Sequence, residues 1–236
     1  MKKASCRGVI TALVTPFYKG KVDLKSLENL VKFQLDAGVE GFVVNGTTAE
    51  SPTLAPAEVR QIYKKVEAEV RRFEKKNKKK ISLILGTGSN NTAETVEKTK
   101  LVKKLKADAA LVVVPYYNKP PQEGLFGHFK TVAEKTKTAI LLYNVPGRTV
   151  ISMSAETVLR LSKIKNIIGI KEASGQIGVA EQIRVGAPSE FILLSGDDAT
   201  AIDFILKSRG DGVISVISHV IPKYFRDSVD RARRQD

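Results

Sequence analysis

The amino-acid sequence predicts an α/β protein with the (β/α)8, or TIM-barrel, fold. Eight short apolar runs alternate with longer segments of helical periodicity, which is the number of units that closes such a barrel. The chain has 236 residues, of which 42% are hydrophobic, so it is long enough for one barrel and apolar enough to fill its core. The polar residues suited to chemistry follow the apolar runs, at the strand ends where barrel enzymes carry their sites.

The eight apolar runs are predicted to be strands. They are rich in β-branched residues and apolar at nearly every position, as strands buried on both faces are. In chain order they are GVITALV (8–14), GFVVN (41–45), ISLILG (81–86), AALVVVP (109–115), AILLYN (139–144), IIGIK (167–171), FILLSG (191–196) and GVISVI (212–217). The first run follows two lysines, as in a signal peptide, but it is short and is broken by Thr11 and Thr15, which favours a strand.

Segments with helical periodicity lie between these runs. The clearest are 24–38, 55–76, 92–107 and 222–236. Asp23, Thr92 and Ser154 are typical N-cap residues and stand at the start of helical segments. Gly38 is suited to end the first helix, and Pro222 is suited to the first turn of the last one.

An open doubly wound sheet is the alternative arrangement of alternating strands and helices. It rarely contains eight regular units, and it usually carries a glycine-rich phosphate loop after the first strand. The segment after the first run is TPFYKGKVD (15–23), which contains no such loop. No linker or change of composition divides the chain, so residues 1–236 are predicted to form a single barrel domain.

The net charge of +14 is the one unusual bulk property, and it raises the question of nucleic-acid binding. The densest basic block, EKKNKKK (74–80), follows a polar helical segment and precedes an apolar run, as a solvated helix end does. No aromatic residues alternate with these lysines, and no helix-turn-helix or zinc-finger pattern is present. The sequence therefore predicts no nucleic-acid partner. A basic scaffold or nucleic-acid binder without enzymatic activity is the competing class of function.

Cysteine content, histidine spacing and hydropathy give predictions about the cellular compartment, metal binding and membrane association. The single cysteine, Cys6, allows no internal disulfide and fits a reducing compartment, which predicts a cytoplasmic protein. The two histidines, His128 and His219, provide no metal-ligand spacing, so no metal site is expected. No apolar run reaches the length of about 18 residues that a membrane-spanning helix needs, so no membrane association is expected.

Polar segments follow six of the predicted strands. They are NGTTAES (45–51), GTGSNNT (86–92), PYYNKP (115–120), YNVPGRT (143–149), KEASG (171–175) and SGDDA (195–199). These segments lack the clustered histidines and carboxylates of a metal-dependent hydrolase. Glu50 and Glu172 are the candidates for a glycosidase pair, but helix-start residues follow both, which favours structural roles. A Ser-His-Asp triad lacks a histidine at any strand end except His219.

Lys171 ends one of the most apolar runs of the chain, IIGIK. A buried ammonium group is costly unless it is paired or neutral, so burial lowers the pKa of a lysine. A neutral amine can attack a carbonyl group and form a Schiff base. The alternative is a lysine with a buried stem whose charged head reaches water or pairs with a carboxylate.

Seven segments together resemble the dihydrodipicolinate synthase family, also called 4-hydroxy-tetrahydrodipicolinate synthases. These segments are GTTAES, GTGSNNTAE, PYYNKPPQEGLFGHF, YNVPGRT, IIGIKEASG, LLSGDDA and GVISV. The family is part of the class I pyruvate aldolases, which include N-acetylneuraminate lyase. The resemblance implies a (β/α)8 barrel and a lyase of the Schiff-base aldolase type. It would condense pyruvate with L-aspartate 4-semialdehyde to 4-hydroxy-tetrahydrodipicolinate, in lysine and diaminopimelate biosynthesis, without a cofactor.

The resemblance also assigns roles in the reaction to four residues. Lys171 would form the imine with pyruvate, and Tyr143 would be the acid/base that moves protons. Thr47 would link Tyr143 to Tyr117 in a proton relay. In the family, the tyrosine matching Tyr117 reaches across a tight interface into the neighbouring site, which implies a dimer or a tetramer.

The remaining carried-over residues would bind the substrates. Thr48 would hold the pyruvate carboxylate through its hydroxyl and backbone N–H. Arg148 would bind the carboxylate of the semialdehyde, a task that suits the bidentate guanidinium. Gly196 and Ile214 would contact the bound pyruvate through their backbone carbonyls.

Arg148 and the PYYN segment favour the synthases over the sialic acid lyases, which lack that arginine; another pyruvate aldolase of the group is the alternative. Ala49 stands where the family motif has glycine, and alanine would be strained there if the position had a positive φ. The family usually continues with a small helical domain after the eighth helix. The chain stops at Asp236, so the sequence predicts a barrel that lacks this domain, and an inactive truncated barrel is the corresponding alternative.

Overall fold

The structure, a computed structural model, describes residues 5–235 and contains a closed barrel of eight parallel strands. The strands are β1 (Gly8–Ala12), β2 (Gly41–Val44), β3 (Ser82–Gly86), β4 (Ala109–Val113), β5 (Ile140–Asn144), β6 (Ile167–Glu172), β7 (Ile192–Ser195) and β8 (Gly212–Ser215). Each strand pairs with the next one in the chain, and β8 pairs with β1 to close the barrel. The predicted fold class is confirmed, and each of the eight apolar runs contains one strand.

A helix follows each strand and packs on the outside of the barrel. The helices are α1 (Leu24–Asp36), α2 (Pro56–Asn77), α3 (Thr92–Lys104), α4 (Gln122–Thr136), α5 (Ala155–Ser162), α6 (Ile177–Gly186), α7 (Ala201–Ser208) and α8 (Pro222–Arg234). Within residues 5–235, no helix combines the length and the apolar character needed to cross a lipid bilayer.

Most of the predicted helix boundaries agree with the structure. The side chain of Asp23 caps α1 by accepting hydrogen bonds from two backbone N–H groups, and the hydroxyl of Ser154 caps α5 by accepting the N–H of Thr157. Gly38 ends α1 with a φ of +88°, where glycine is favoured. The prediction for Thr92 was wrong. The N-cap of α3 is Asn91, because its carboxamide accepts the N–H of Glu94, and Thr92 is already helical.

The barrel strands are buried on both faces. One set of side chains, including Val9, Leu83 and Leu142, packs against the helices. The alternate set, including Ile10 and Leu141, fills the interior of the barrel. Because successive strand residues point to opposite faces, the runs had to be apolar throughout rather than alternating.

The segment after β1 forms a short hairpin instead of a phosphate loop. Phe17–Tyr18 pairs in antiparallel fashion with Lys21–Val22, and Gly20 turns the chain between them with a φ of +74°. The hairpin leads directly into α1.

Asp211 ties together three elements near the amino-terminal ends of the strands. Its carboxylate accepts the N–H of Leu193 in β7 at 2.9 Å, Arg184 of α6 at 2.6 Å and Arg7, just before β1, at 2.8 Å. Burial opposes the charged carboxylate, but these three donors outweigh it and lower the pKa of Asp211. The network therefore helps to close the barrel between β7, β8 and β1.

Candidate active site

A pocket of about 300 Å³ opens at the carboxyl ends of the barrel strands. Its lining residues are Thr47, Thr48, Tyr143, Val145, Arg148, Lys171, Ala173, Ser174, Gly175, Gly196, Asp197 and Val216. They come from the loops after strands β2, β5, β6, β7 and β8 and from the strand ends themselves. Six of the eight predicted site residues line this pocket: Thr47, Thr48, Tyr143, Arg148, Lys171 and Gly196.

Lys171 points into this pocket because of an irregularity in β6. The register between β5 and β6 shifts by one residue after Ile140, which pairs with Ile167, whereas Leu141 pairs with Gly169. Beyond the shift, Lys171 lies beside Tyr143 and faces the interior of the barrel. A side chain at Gly169 would lie 2.3 Å from the carbonyl oxygen of β7 Ile192, so glycine allows the two strands to approach here.

The amine of Lys171 has a lowered pKa, so it loses its proton more readily than an ordinary lysine does. The side chain is only 7% exposed, and burial is the main reason that its pKa falls to about 8. The positive charge of Arg148 lowers the pKa further, whereas the negative charge of Asp198 raises it. Among the residues that the structure describes, no carboxylate lies within ion-pair distance of the Nζ atom. About one tenth of the amine is therefore unprotonated at pH 7, far more than for an ordinary lysine.

Tyr143 lies beside this amine and carries a hydroxyl group suited to exchange protons with it. The Lys171 Nζ atom lies 4.2 Å from the centroid of the Tyr143 ring. Burial raises the pKa of the Tyr143 phenol, and a hydrogen bond with the Thr47 side chain and the charge of Arg148 partly offset that rise. The phenol is therefore held protonated, next to both the amine and a second hydroxyl group.

Thr47 and Thr48 lie on a single 3₁₀ turn, Thr47–Ala49, directly after β2. The segment after β1 holds this turn in place, because the Thr15 hydroxyl donates to the carbonyl oxygen of Ala49 at 2.8 Å. Ala49 itself is buried and does not have a positive φ; the left-handed residue is Glu50, with a φ of +57°. The alanine that replaces the family's glycine is therefore not strained.

Arg148 reaches the mouth of the pocket from a short helix after β5. Pro146–Thr149 forms one helical turn, and the N–H of Arg148 donates to the carbonyl oxygen of Val145 at 2.9 Å. Arg148 is exposed at this position. It therefore places a positive charge in the lining of the pocket, where that charge contributes to the lowered pKa of Lys171.

Gly196 lines the pocket because it has no side chain. A methyl group there would lie 2.8 Å from Cε of Lys171 and 2.6 Å from Cβ of Ala173. Such distances are shorter than van der Waals contact, so glycine leaves the space that the stem of the lysine occupies.

Two predicted residues do not line the pocket. Ile214 is buried in the barrel interior, and the lining residue from this end of the chain is Val216. Tyr117 is 87% exposed and has a φ of +73°. It does not meet Thr47 within one chain, and the proposed relay through it stays a prediction.

Asn144, the last residue of β5, is not among the predicted site residues, but the structure shows that it helps to position them. Its Nδ2 atom donates to Glu172 Oε2 at 2.9 Å, and its Oδ1 atom accepts the N–H of Met153 at 2.9 Å. Glu172 also accepts the N–H of Ser174 at 2.7 Å. These bonds fix the backbone on both sides of the pair formed by Tyr143 and Lys171. The sequence contains a feature that could have indicated this role, because Asn144 is a carboxamide at the end of an otherwise apolar run.

Comparison with known proteins agrees with this geometry. The sequence profile of the "Dihydrodipicolinate synthetase family" matches residues 5–235. The chain is 52% identical over 216 residues to a 4-hydroxy-tetrahydrodipicolinate synthase of Bdellovibrio bacteriovorus, an alignment that spans 92% of this chain and 71% of the relative.

Solved structures show the same likeness. A chloride-inhibited dihydrodipicolinate synthase of Acinetobacter baumannii, solved in complex with pyruvate, superposes with a TM-score of 0.90 at 42% identity. That superposition covers 98% of this chain and 77% of the other. A monomeric dihydrodipicolinate synthase variant superposes with a TM-score of 0.91 at 40% identity, over 98% and 76% of the two chains.

Proposed function

Because the chain belongs to the dihydrodipicolinate synthetase family, we propose that it condenses pyruvate with L-aspartate 4-semialdehyde to 4-hydroxy-tetrahydrodipicolinate. This is a step of lysine and diaminopimelate biosynthesis. The observation that supports the proposal most directly is the pairing of a buried lysine with a buried tyrosine in one pocket. The reaction is of the lyase, Schiff-base aldolase type and needs no cofactor beyond the covalent imine on Lys171.

The first step is the attack of Lys171 on the ketone carbon of pyruvate. The neutral amine adds to the carbonyl and gives a carbinolamine. The carbinolamine hydroxyl takes up a proton and leaves as water, and the nitrogen is left as a positively charged imine. The pKa of about 8 supplies neutral amine at moderate pH, which an ordinary lysine does not.

Tyr143 supplies and removes the protons that these steps need. Its phenol lies beside the Lys171 amine, within reach of the carbinolamine that forms there. The positive imine makes the methyl group of pyruvate acidic, and loss of a proton from it gives an enamine. The enamine carbon then attacks the aldehyde of the second substrate. Thr47, whose side chain interacts with the phenol, would pass protons to and from it.

The two acids bind at opposite parts of the pocket. Thr48 holds the carboxylate of pyruvate near Lys171, and Arg148 at the mouth binds the carboxylate of the semialdehyde. Gly196, which lines the pocket, contacts the bound pyruvate through its backbone carbonyl. The same role for the carbonyl of Ile214, which does not line the pocket, stays a prediction. The second acid thus reaches the enamine from the solvent side.

Self-association is part of this proposal, and the exposure of Tyr117 supports it. An aromatic side chain that is 87% exposed on a left-handed loop residue is placed to contact a second copy of the chain, as dimer or tetramer. In such an assembly Tyr117 would complete the relay through Thr47 of the partner. The free Cys6 thiol fits a reducing cytoplasm.

Trapping of the imine tests the proposal. The protein is incubated with pyruvate, reduced with borohydride, digested and analysed by mass spectrometry. An adduct on the peptide that contains Lys171, absent without pyruvate and absent from a Lys171→Arg variant, is the expected result. A folded protein that forms no adduct would contradict the proposal and leave the basic scaffold as the competing function. In that case, binding to nucleic acid that weakens steeply with salt is the next measurement.

A further inference from the structure

The side chain of His219 bonds to the backbone of two separate loops at the carboxyl ends of the barrel strands. Its Nδ1 atom lies 2.9 Å from the carbonyl oxygen of Val216, in the loop after β8. Its Nε2 atom accepts the N–H of Val14, in the loop after β1, at 3.3 Å. A carbonyl oxygen can only accept and an N–H can only donate, so these partners assign the ring proton to Nδ1 and leave Nε2 as the acceptor.

The turn that carries His219 is fixed by two other elements. It is the 3₁₀ turn Ile217–His219, which follows β8. The Asp198 carboxylate, from the loop after β7, accepts the N–H of Val216 at 2.8 Å. The buried side chain of Gln34, from α1, donates to a carbonyl oxygen of the turn at 2.8 Å. Because Val216 lines the lysine pocket, these bonds fix one wall of the pocket and the base from which the imidazole reaches the loop after β1.

The loop after β1 connects this wall to another one. Thr15 follows Val14, is buried, and donates its hydroxyl to the carbonyl oxygen of Ala49 at 2.8 Å. Ala49 ends the 3₁₀ turn that carries Thr47 and Thr48, and both threonines line the pocket. The three loops follow neighbouring strands, because β1 pairs with β8 on one side and with β2 on the other. A continuous chain of contacts thus runs from the imidazole to the threonine turn.

We propose that His219 is a positioning residue for pyruvate: its bond to Val14 fixes the loop after β1, and that loop holds the turn that presents Thr48. This inference rests on the proposed function, because it requires that Thr48 binds the pyruvate carboxylate. Lys171 and Tyr143 lie on β6 and β5, on the side of the closed barrel opposite β1. Loss of the bond to Val14 should therefore weaken the binding of pyruvate more than it slows imine formation in the bound complex.

The test uses two variants that separate the two bonds of the imidazole. In His219→Gln the carboxamide lies at the level of Nε2 and can still accept the N–H of Val14. In His219→Asn the carboxamide lies at the level of Nδ1, so it retains the bond to Val216 and is too short to reach Val14. The pyruvate concentration for half-maximal imine trapping should rise about three- to tenfold in His219→Asn, as expected for one lost hydrogen bond. The rate at saturating pyruvate should change less, and His219→Gln should restore the wild-type concentration.

A third variant breaks the next contact in the chain. Thr15→Val keeps the shape of the side chain and removes the hydroxyl that bonds to Ala49, so it should raise the half-maximal pyruvate concentration in the same way. The changes at Thr15 and His219 interrupt one path, so their combined effect should be smaller than the product of the two separate effects. Independent effects that multiply would contradict a path through the loop after β1.

Hydrogen exchange provides a readout that does not depend on trapping. In the threonine turn, the N–H of Ala49 donates to the carbonyl oxygen of Gly46 at 3.2 Å, and the N–H of Glu50 donates to that of Thr47 at 3.0 Å. These two amides should exchange faster in His219→Asn than in the wild-type protein and in His219→Gln.

Two results would overturn the inference. One is a His219→Asn protein with the wild-type pyruvate concentration and the wild-type exchange rates. The other is an equal loss in His219→Asn and His219→Gln, which would show that the ring only packs against its surroundings. Absence of trapping in the wild-type protein would contradict the proposed function instead, and the exchange rates would still decide whether His219 holds the threonine turn.

Discussion

Lys171 and Tyr143 are register partners on neighbouring barrel strands, and the Nζ atom lies 4.2 Å from the centroid of the tyrosine ring. The two side chains face the interior of the barrel at the same level, with exposures of 7% and 6%. Burial moves their pKa values in opposite directions, downward for the amine and upward for the phenol. Burial thereby increases the share of the neutral form of each group relative to its ordinary value, and the neutral amine is the form that adds to a ketone.

The rate of imine formation should depend on pH through the amine of Lys171. Its pKa is lowered to about 8, and the ammonium form cannot attack a carbonyl. At low pyruvate concentration, the initial trapping rate should therefore fall about tenfold for each pH unit below 8 and level off above it. Rapid-quench trapping at a series of pH values measures this. A rate that keeps rising until pH 10 or beyond, the range of an unperturbed lysine, would contradict it.

Replacement of Tyr143 by phenylalanine should slow imine formation by about 10²- to 10⁴-fold, because the ring is kept and the proton-transferring hydroxyl is lost. Tyr63→Phe is the matched control. The Tyr63 hydroxyl is buried in α2 and has no hydrogen-bond partner in the described part of the chain, so its loss should leave trapping unchanged. Equal trapping rates in Tyr143→Phe and the wild-type protein would show that another group moves the protons.

Replacement of Gly196 by alanine should displace the lysine stem. The added methyl group would lie 2.8 Å from Cε of Lys171, so the trapping rate should fall about tenfold or more, with a loss of about 1–3 kcal/mol of stability. Gly178→Ala is the control, since a methyl group there meets no atom within 4 Å and favours the helix. Trapping kinetics measure the change in rate, and urea denaturation measures the change in stability, for both variants. A Gly196→Ala protein that forms the imine at the wild-type rate would contradict the prediction and show that the pocket can accommodate the methyl group.

Asp211 should contribute stability that depends on pH. Its folded pKa lies below the ordinary value of 3.8, so the contribution is complete above pH 4 and is lost as the pH falls through the lowered pKa. Asp211→Asn should destabilise the protein by about 3 kcal/mol near neutral pH, because Arg184 and Arg7 lose their charged partner. The difference from the wild-type protein should shrink in acid. Urea denaturation at several pH values tests this, and a difference that is independent of pH would argue against it.

Local patterns accounted for most of the predicted elements. The eight apolar runs specified the strands, because a strand covered on both faces must be apolar at both alternating positions. The caps at Asp23 and Ser154 were also predictable, since a side-chain acceptor at that position satisfies free N–H groups of the first turn. Asn91 and Thr92 are both competent caps, and the choice between them was decided by where the chain enters α3 and not by the residue types.

The sequence alone determined the barrel and the strand ends that carry polar groups, and it singled out Lys171 as the candidate for the reactive amine. Tertiary structure decided how those groups meet. The register shift between β5 and β6 turns Lys171 toward Tyr143, and a shift of one residue reverses the facing of a strand. The bonds from Asp198 to Val216 and Ile217 join loops 18 and 19 residues apart in sequence. Such contacts depend on the closure of the barrel, which no local pattern encodes.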